Sequence, residues 1–225
     1  MTAMSGTRPS ETPHARISLD IQFENPAQQH ETRVLGMWIF LVTELMLFGA
    51  MFTMYTVYRS FYPNAFAEGS RHLDLALGGI NTAVLIVSSL CIALAVHTSR
   101  SSTNRFQLGL WLLATAGLGA LFLIIKGYEY SWHFINGEVP VLNWMYKGAN
   151  AGQVQLFFWM YFAMTGVHAI HLLIGIGIVG VMLLRALLGH FKPEAYTPVE
   201  LTGLYWHFVD IIWIFLLPLL YLIAS

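Results

Sequence analysis

Apolar residues occur along the chain in long stretches that are separated by short polar segments. A helix needs about 20 apolar residues to cross the hydrocarbon core of a bilayer, which is about 30 Å thick. Five stretches reach that length, and they cover residues 34–58, 75–96, 106–125, 154–184 and 201–224. The pattern therefore predicts five membrane-spanning helices.

The connecting segments decide the predicted domain organisation. They are too short to form a separate soluble domain, so residues 34–225 are expected to form a single five-helix transmembrane domain. Residues 1–33 are polar, rich in Ser, Thr, Pro and Gln, and lack the apolar core of a signal peptide. We therefore expect an all-α integral membrane bundle that follows a disordered cytoplasmic tail.

The positions of the basic residues predict the orientation of the bundle, because Lys and Arg concentrate on the cytoplasmic side of a membrane. One side carries seven of them, namely Arg8, Arg16, Arg33, Arg100, Arg105, Arg185 and Lys192. The other side carries Arg59, Arg71, Lys147 and, at its border, Lys126. The N-terminus is therefore expected to be cytoplasmic and the C-terminus periplasmic.

Composition excludes several classes of protein. The 225 residues are 56% hydrophobic and 10% charged, whereas a soluble domain is about 25% charged. The net charge of −1 is unlike the basic surfaces that bind nucleic acid, so nucleic acid is not expected as a partner. Since Cys91 is the only cysteine, neither a disulfide framework nor a cysteine-based metal site is possible within the chain.

Five ionisable side chains fall inside the predicted spans, where an unpaired charge is costly. They are Glu44, His168, His171, His207 and Asp210. Helical spacing places His168 and His171 on one face of the fourth span, and His207 and Asp210 on one face of the fifth. We expect the five to meet as a buried polar cluster, with His168 as the preferred partner of Glu44 and His207 as the second choice.

Each member of this cluster has a functional and a structural interpretation. His168 and His171 could ligate a metal or haem, but a single HxxH is weak, and the Glu-x-x-His pairs of di-iron bundles are absent from the sequence. Glu44 is part of a proton relay or a buried neutral carboxyl. His207 and Asp210 form a relay or a link between helices. The structural interpretation is favoured throughout, so no metal site and no catalytic residue is expected.

A second polar group lies towards the outer end of the third span. Lys126, Glu129 and His133 follow helical spacing, and we expect Lys126 to pair with Glu129 while its stem extends towards the lipid headgroups. At the inner end of the fourth span, Arg185 suits an anionic phospholipid headgroup. This arginine is equally compatible with an ordinary exposed position.

Five short motifs occur in a fixed order, one in or beside each predicted span. They are GMWIFLVTE at 36–44, INT at 80–82, KGYEY at 126–130, TGVHAIH at 165–171 and WHFVDIIW at 206–213. Together they resemble subunit III of the haem-copper terminal oxidases, from about residue 33 to the end of the chain. The similarity is to the five-helix bacterial form, since counterparts of the first two helices of the seven-helix mitochondrial form are lacking.

The resemblance implies an accessory role in a larger complex. Subunit III of this family contains no redox centre and packs beside subunit I, which holds haem and copper, with subunit II and a respiratory supercomplex as further partners. It binds phospholipid in a cleft, which we expect here between the first two spans and the other three. Glu44 matches the family's carbodiimide-reactive glutamate, which is associated with proton uptake and with stability during turnover.

The resemblance therefore leads us to expect a non-catalytic subunit of a proton-pumping aa3-type cytochrome c oxidase. Such a complex reduces oxygen to water in the aerobic electron transport chain of a bacterial inner membrane. Quinol oxidases and nitric-oxide-reductase-associated proteins are alternatives within the same family. A membrane haem or metal protein that uses His168, His171 and His207 is an alternative of another class. A small transporter is a further one, disfavoured because the sequence shows no internal repeat.

Overall fold

Six α-helices form the described part of the chain. The computed structural model describes residues 26–101, 104–148, 150–188 and 197–223, and no β-strand occurs among them. In chain order the helices are α1 (Pro26–Phe61), α2 (Pro63–Arg71), α3 (Leu75–Ser101), α4 (Arg105–Ile135), α5 (Ala151–Leu187) and α6 (Thr197–Tyr221). All except α2 are long and apolar enough to cross a membrane. The predicted all-α bundle with five spans is confirmed.

The first membrane helix begins earlier than its apolar stretch. Residues 26–33 are helical, so the expectation of a disordered tail is wrong for them. Pro26 is suited to a first helical turn, where its missing N–H costs no hydrogen bond. His30 Nδ1 lies 3.2 Å from the hydroxyl of Thr197 at the start of α6, which holds this first part of α1 against the bundle. Residues 1–25 lie outside the described residues, as does Ala224 at the predicted end of the fifth span.

Successive spans run in alternating directions, which gives the bundle two ends. The start of α1 lies near the start of α6, and the end of α3 is joined to α6 by the ion pair of Arg100 with Glu200. We call this end the amino-terminal face. The last turns of α4 and α6 lie at the other side of the bundle together with α2, where the Ser70 hydroxyl donates to the carbonyl oxygen of Leu220 at 2.8 Å. We call that end the opposite face.

The short helix α2 is absent from the predictions, which treated its residues as a connector. Pro63 stands in its first turn, and one face of α2 buries Phe66 and Ser70. A Cβ atom at Gly69 would lie 2.4 Å from the ring of Phe157, so glycine allows α2 to lie directly on α5. The signal in the sequence is a single apolar turn of helix after a proline, which is too short to stand out from a loop.

Helix α6 lies at the centre of the bundle and α1 lies at its side. Of the 18 most apolar consecutive residues of α6, half are buried within the chain, whereas 11% of the corresponding residues of α1 are buried. Helix α3 packs directly on α4 and α6, where the Ser88 hydroxyl donates to the carbonyl oxygen of Thr115 at 3.1 Å and Trp213 Nε1 donates to Thr82 Oγ1 at 3.0 Å. These contacts close α3 against α4 and α6, so the expected lipid cleft stays a prediction for the boundary between α1 and the last two spans.

Small residues allow α6 to approach its neighbours. The Trp206 indole lies between α4 and α5, with a Cβ atom at Gly119 only 2.8 Å from the indole and one at Gly175 only 3.2 Å from it. Larger side chains at either glycine would push the indole out of the core. Gly117 and Gly177 have open space around them instead. Gly119 and Gly175 therefore allow close packing of α4 and α5 against Trp206.

We expect Gly119→Ala to destabilise the bundle by about 1–3 kcal/mol, because the added methyl group overpacks the site against a rigid indole. Gly117→Ala on the same helix is the matched control. It should be neutral or stabilise by up to about 1 kcal/mol, since alanine favours a helix over glycine. Unfolding of both variants in detergent with increasing dodecyl sulfate provides the measurement. Equal stabilities for the two variants would contradict this account of the packing.

Candidate functional site

The five ionisable side chains that were expected to meet lie in three separate places. Glu44 contacts His171, whereas His168 is enclosed by aromatic rings. His207 contacts Ser89 on α3, and Asp210 interacts with the same serine. The single cluster is therefore wrong. Residues that share one face of a helix can still contact different neighbours: His171 contacts α1, whereas His168 contacts α4 and α6.

Glu44 pairs with His171 instead of His168, its expected partner. The distance from Glu44 Oε2 to His171 Nε2 is 2.9 Å. The two histidines are three residues apart, so their directions differ by about 60° around the helix axis. Because α1 lies at the side, it contacts the histidine that points outward. The hydroxyl of Tyr205 on α6 donates to the carbonyl oxygen of His171 at 2.9 Å, which joins α6 to the same turn.

The hydrogen bonds of His171 define how the pair is charged. Its Nδ1 lies 2.8 Å from the carbonyl oxygen of Val167, and a carbonyl can only accept, so Nδ1 carries a hydrogen. One proton then remains between Nε2 and the carboxyl of Glu44. Either a neutral carboxyl donates it to a neutral imidazole, or a carboxylate accepts it from an imidazolium. Both arrangements have zero net charge, which suits a pair in the middle of a membrane.

His168 is completely buried, with its ring between Phe122 and Trp213 at centroid distances of 5.5 and 5.1 Å. Neither of its ring nitrogens has a hydrogen-bond partner among the residues that the structure describes. An apolar enclosure of this kind favours the uncharged form of an imidazole. The contacts of His168 are therefore those of a core side chain that packs α5 against α4 and α6.

His207 and Asp210 connect α6 to α3 rather than to each other. The Ser89 hydroxyl lies 2.6 Å from His207 Nδ1 and also interacts with the carboxyl of Asp210. One serine between two groups on the next helix supports the interpretation of these residues as a link between helices. Ser89 itself is absent from the predictions, because a serine in an apolar span carries no distinguishing pattern.

The three histidines considered as metal ligands, His168, His171 and His207, have different neighbours. Their rings face aromatic side chains, a carboxyl on α1 and a hydroxyl on α3, respectively. Across the described ranges of the chain, no group of three or more His, Cys, Asp or Glu side chains is arranged to hold a metal ion. The positions of these histidines offer no support for the metal or haem interpretation.

Lys126 and Glu129 form the predicted pair, with Lys126 Nζ 3.0 Å from Glu129 Oε2. The expectation that the lysine extends towards the headgroups is wrong, since its side chain is only 5% exposed and lies inside the bundle. The hydroxyls of Tyr161 on α5 and Tyr221 on α6 bind the lysine ammonium inside the bundle. Each hydroxyl accepts a hydrogen bond from the ammonium, at 3.1 and 2.5 Å, and each donates one to Glu129 Oε1.

Aromatic rings complete the surroundings of the Lys126 ammonium. The rings of Tyr130, Tyr161, Trp213 and Tyr221 lie with their centroids 5.0 to 5.8 Å from Nζ, within the range of cation–π attraction. All three N–H groups have acceptors as well. The pair is therefore neutral as a unit, fully hydrogen-bonded and shielded, which is the condition under which a buried ion pair is tolerated.

His133 belongs to a third polar group at the opposite face. Its Nδ1 donates to Glu138 Oε2 at 2.6 Å, and His72 Nδ1 donates to Glu138 Oε1 at 2.6 Å. We call these three residues the Glu138 clasp, because they fasten the segment after α4 to the residues that precede α3. The sequence analysis grouped His133 with Lys126 and missed both His72 and Glu138, which lie in connectors without periodicity.

The clasp shifts the pKa values of Glu138 and His72. Burial opposes ionisation of Glu138, but hydrogen bonds from His133 and His72 outweigh it and lower the pKa of this carboxyl from 4.5 to about 2. The hydrogen bond to Glu138 also raises the pKa of His72 above its usual 6.5, against a smaller opposing effect of burial. The clasp therefore holds most firmly where Glu138 is ionised and His72 is protonated.

Two grooves run along the sides of α1. One has a volume of about 440 Å³, lies against α5 and α6, and contains Glu44 and His171 in an otherwise mostly apolar lining. The second has a volume of about 440 Å³ as well and lies between α1 and α6, where Trp38 and Phe208 are among its lining residues. Arg185 stands exposed in the last turn of α5 and makes no hydrogen bond or ion pair within the described residues.

Comparison with known proteins gives a consistent result. The family model described as "Cytochrome c oxidase subunit III" matches residues 22–225. A cytochrome c oxidase subunit 3 of Synechocystis sp. is 34% identical over 86% of this chain and 76% of its own length. The cytochrome c oxidase subunit 3 of Thermostichus vulcanus is 33% identical over 98% and 99%. A probable quinol oxidase subunit 3 of Staphylococcus haemolyticus is 26% identical over 88% and 93%.

The Glu138 clasp predicts a characteristic pH dependence. The lowered pKa of Glu138 contributes stability above pH 4.5 that is lost as the pH falls towards 2. The raised pKa of His72 contributes stability below pH 6.5 that is lost as the pH rises through its folded value. We expect Glu138→Gln to lower the free energy of unfolding by about 1–3 kcal/mol, with the largest loss between pH 4.5 and pH 6.5.

The measurement is the unfolding midpoint of the wild type and Glu138→Gln in detergent from acid to alkaline pH. Glu31→Gln is the control, since Glu31 is exposed on α1 and takes no part in the clasp. A stability difference for Glu138→Gln that stays constant over the whole pH range would show that the clasp does not depend on charge.

Proposed function

The chain belongs to the cytochrome c oxidase subunit III family and is a subunit III of a haem-copper oxidase, and from that premise we propose that its complex is an aa3-type cytochrome c oxidase. The supporting observation is the higher identity to relatives named for cytochrome c oxidase, 34% and 33%, than to the relative named for quinol oxidase, 26%. A quinol oxidase is the second candidate, because that relative is matched over nearly its full length.

We propose that the chain acts as a non-catalytic subunit beside subunits I and II, in a bacterial inner membrane. Subunit I is the proposed site of haem and copper and of oxygen reduction, which accords with a subunit III family that carries no cofactor. The cytoplasmic N-terminus and periplasmic C-terminus inferred from the basic residues remain part of the proposal. In that orientation the amino-terminal face is cytoplasmic and the opposite face is periplasmic.

We propose that this chain contributes to proton uptake by the oxidase through the Glu44–His171 pair. Glu44 Oε2 and His171 Nε2 lie 2.9 Å apart, and the side chains are 17% and 12% exposed in the groove beside α1. A pair of this kind can respond to a neighbouring subunit without being part of the chemistry of oxygen reduction. We therefore propose that it links α1 to the bundle and tunes the pH dependence or the lifetime of turnover in the assembled complex.

Phospholipid binding is proposed for the two grooves that flank α1. Their linings are mostly apolar, which suits acyl chains. Arg185 is proposed as a contact for an anionic headgroup at the amino-terminal face. Its guanidinium has no partner within the described residues and stands at the end of the span, where lipid phosphates are found.

The proposal predicts the behaviour of a tagged chain purified from its own membranes. It should bring a haem-containing partner that oxidises reduced cytochrome c and consumes oxygen. A chain that is recovered alone with a haem spectrum of its own would contradict the proposal. So would a chain recovered without any redox partner, and activity with quinol but not with cytochrome c would favour the second candidate.

Variants of Glu44 extend the same measurement. Glu44→Gln should keep the hydrogen bond to His171, leave haem content intact and change only the pH dependence or lifetime of activity. Glu44→Ala leaves His171 Nε2 without its partner, at a cost of about 1–3 kcal/mol, and should reduce recovery of the complex. Glu31→Ala, an exposed position on the same helix, is the control. Complete loss of oxygen reduction in an assembled Glu44→Gln complex would overturn the tuning role.

A further inference from the structure

The segment between α4 and α5 exposes a group of apolar side chains at the opposite face. Val141, Leu142 and Met145 are 75%, 73% and 70% exposed. They lie in the stretch VPVLNWMY at 139–146, which has no charged residue. Exposed apolar side chains that occur together indicate a surface that something else covers, since a patch of this kind is unfavourable in water.

The exposed side chains of Val141, Leu142 and Met145 form what we call the patch. The backbone is strained at Val141. Val141 has a φ angle of +71°, and it is the one non-glycine residue with positive φ in the described ranges. This left-handed conformation suits Gly or Asn and is unfavourable for a β-branched side chain. A valine that occupies such a position after Pro140 indicates that its apolar side chain has a use there.

Several contacts make the segment rigid. The Glu138 clasp holds its start, and Met145 N donates to the carbonyl oxygen of Gly137 at 2.8 Å. The side-chain amide of Asn143 donates to the carbonyl oxygen of Phe134, and the Trp144 ring packs against Phe158 with a centroid distance of 5.9 Å. The apolar side chains are therefore displayed on a fixed support rather than on a loose loop.

The patch continues the lipid-facing surface of α4. Ile135, the last residue of that span, is 77% exposed, and Phe134 and Trp132 beside it are exposed as well. Tryptophan at the end of a span is typical of the boundary between acyl chains and headgroups. Lys147 follows the apolar stretch and is exposed, and its charge indicates that the segment returns to water at this residue.

We propose that Val141, Leu142 and Met145 insert into the lipid layer at the opposite face, so that the segment 136–148 anchors the α4–α5 connection at the membrane boundary. The occupant of the patch is the membrane itself. The apolar stretch, the strained valine, the rigid support and the continuity with α4 are independent of the proposed electron donor and of the proposed partner subunits.

The test places a nitroxide spin label at the patch and measures its collisions with oxygen, which enters lipid, and with a water-soluble nickel complex. Leu142→Cys is labelled in the full chain with Cys91 replaced by alanine, in bilayer discs of phosphatidylethanolamine and phosphatidylglycerol. Lys147→Cys on the same segment is the aqueous reference. Ile124→Cys, exposed in the middle of α4, is the lipid reference.

We expect the ratio of oxygen to nickel collisions at Leu142 to exceed that at Lys147 several-fold and to approach that at Ile124. Adding Val141→Asn should lower the ratio at Leu142 towards the aqueous reference, because asparagine keeps the backbone conformation but removes the apolar contact. Equal ratios at Leu142 and Lys147 would overturn the proposal. An immobile label at Leu142 that neither reagent reaches, in the assembled oxidase, would show that another subunit covers the patch and would overturn it as well.

Discussion

The buried ion pair of Lys126 and Glu129 sets the geometry of one half of the bundle. Lys126 lies nine residues before the end of α4, which is about 14 Å at 1.5 Å per residue. Charges at that depth persist only when every donor and acceptor has a partner. The hydroxyls of Tyr161 and Tyr221 supply those partners. Helices α5 and α6 must therefore present both hydroxyls at the depth of the pair, and this requirement fixes their positions along α4.

The other half of the bundle depends on shape rather than charge. Trp206 fits against Gly119 and Gly175, so α4, α5 and α6 pack closely around its indole. Helix α1 remains at the side, where the pair of Glu44 with His171 links it to α5 and grooves lie on both of its flanks. This arrangement fits the proposed role of an accessory subunit, because α1 and its grooves offer a surface to the proposed lipid and partner chains.

The sequence supports prediction where the cause is local. Runs of about 20 apolar residues predict the five spans, and the spacing of Lys126 and Glu129 predicts their contact. The partner of Glu44 could not be predicted, since it depends on the angle at which α1 lies against α5. The burial of Lys126 depends on tyrosines from two other helices, so local spacing suggested the opposite direction for its side chain. Glu138 joins residues that are distant in the chain, and no periodic pattern indicates such a contact.

The stability of variants at Lys126 and Glu129 tests the central constraint most directly. Unfolding in detergent with increasing dodecyl sulfate should show that Lys126→Met costs about 3–5 kcal/mol, because it leaves a buried carboxylate unpaired. The double variant Lys126→Met with Glu129→Leu should recover much of that loss, whereas Glu200→Gln in the exposed ion pair should cost at most about 1 kcal/mol. A cost for Lys126→Met no larger than that for Glu200→Gln, or a double variant as unstable as the sum of its two single variants, would contradict the account.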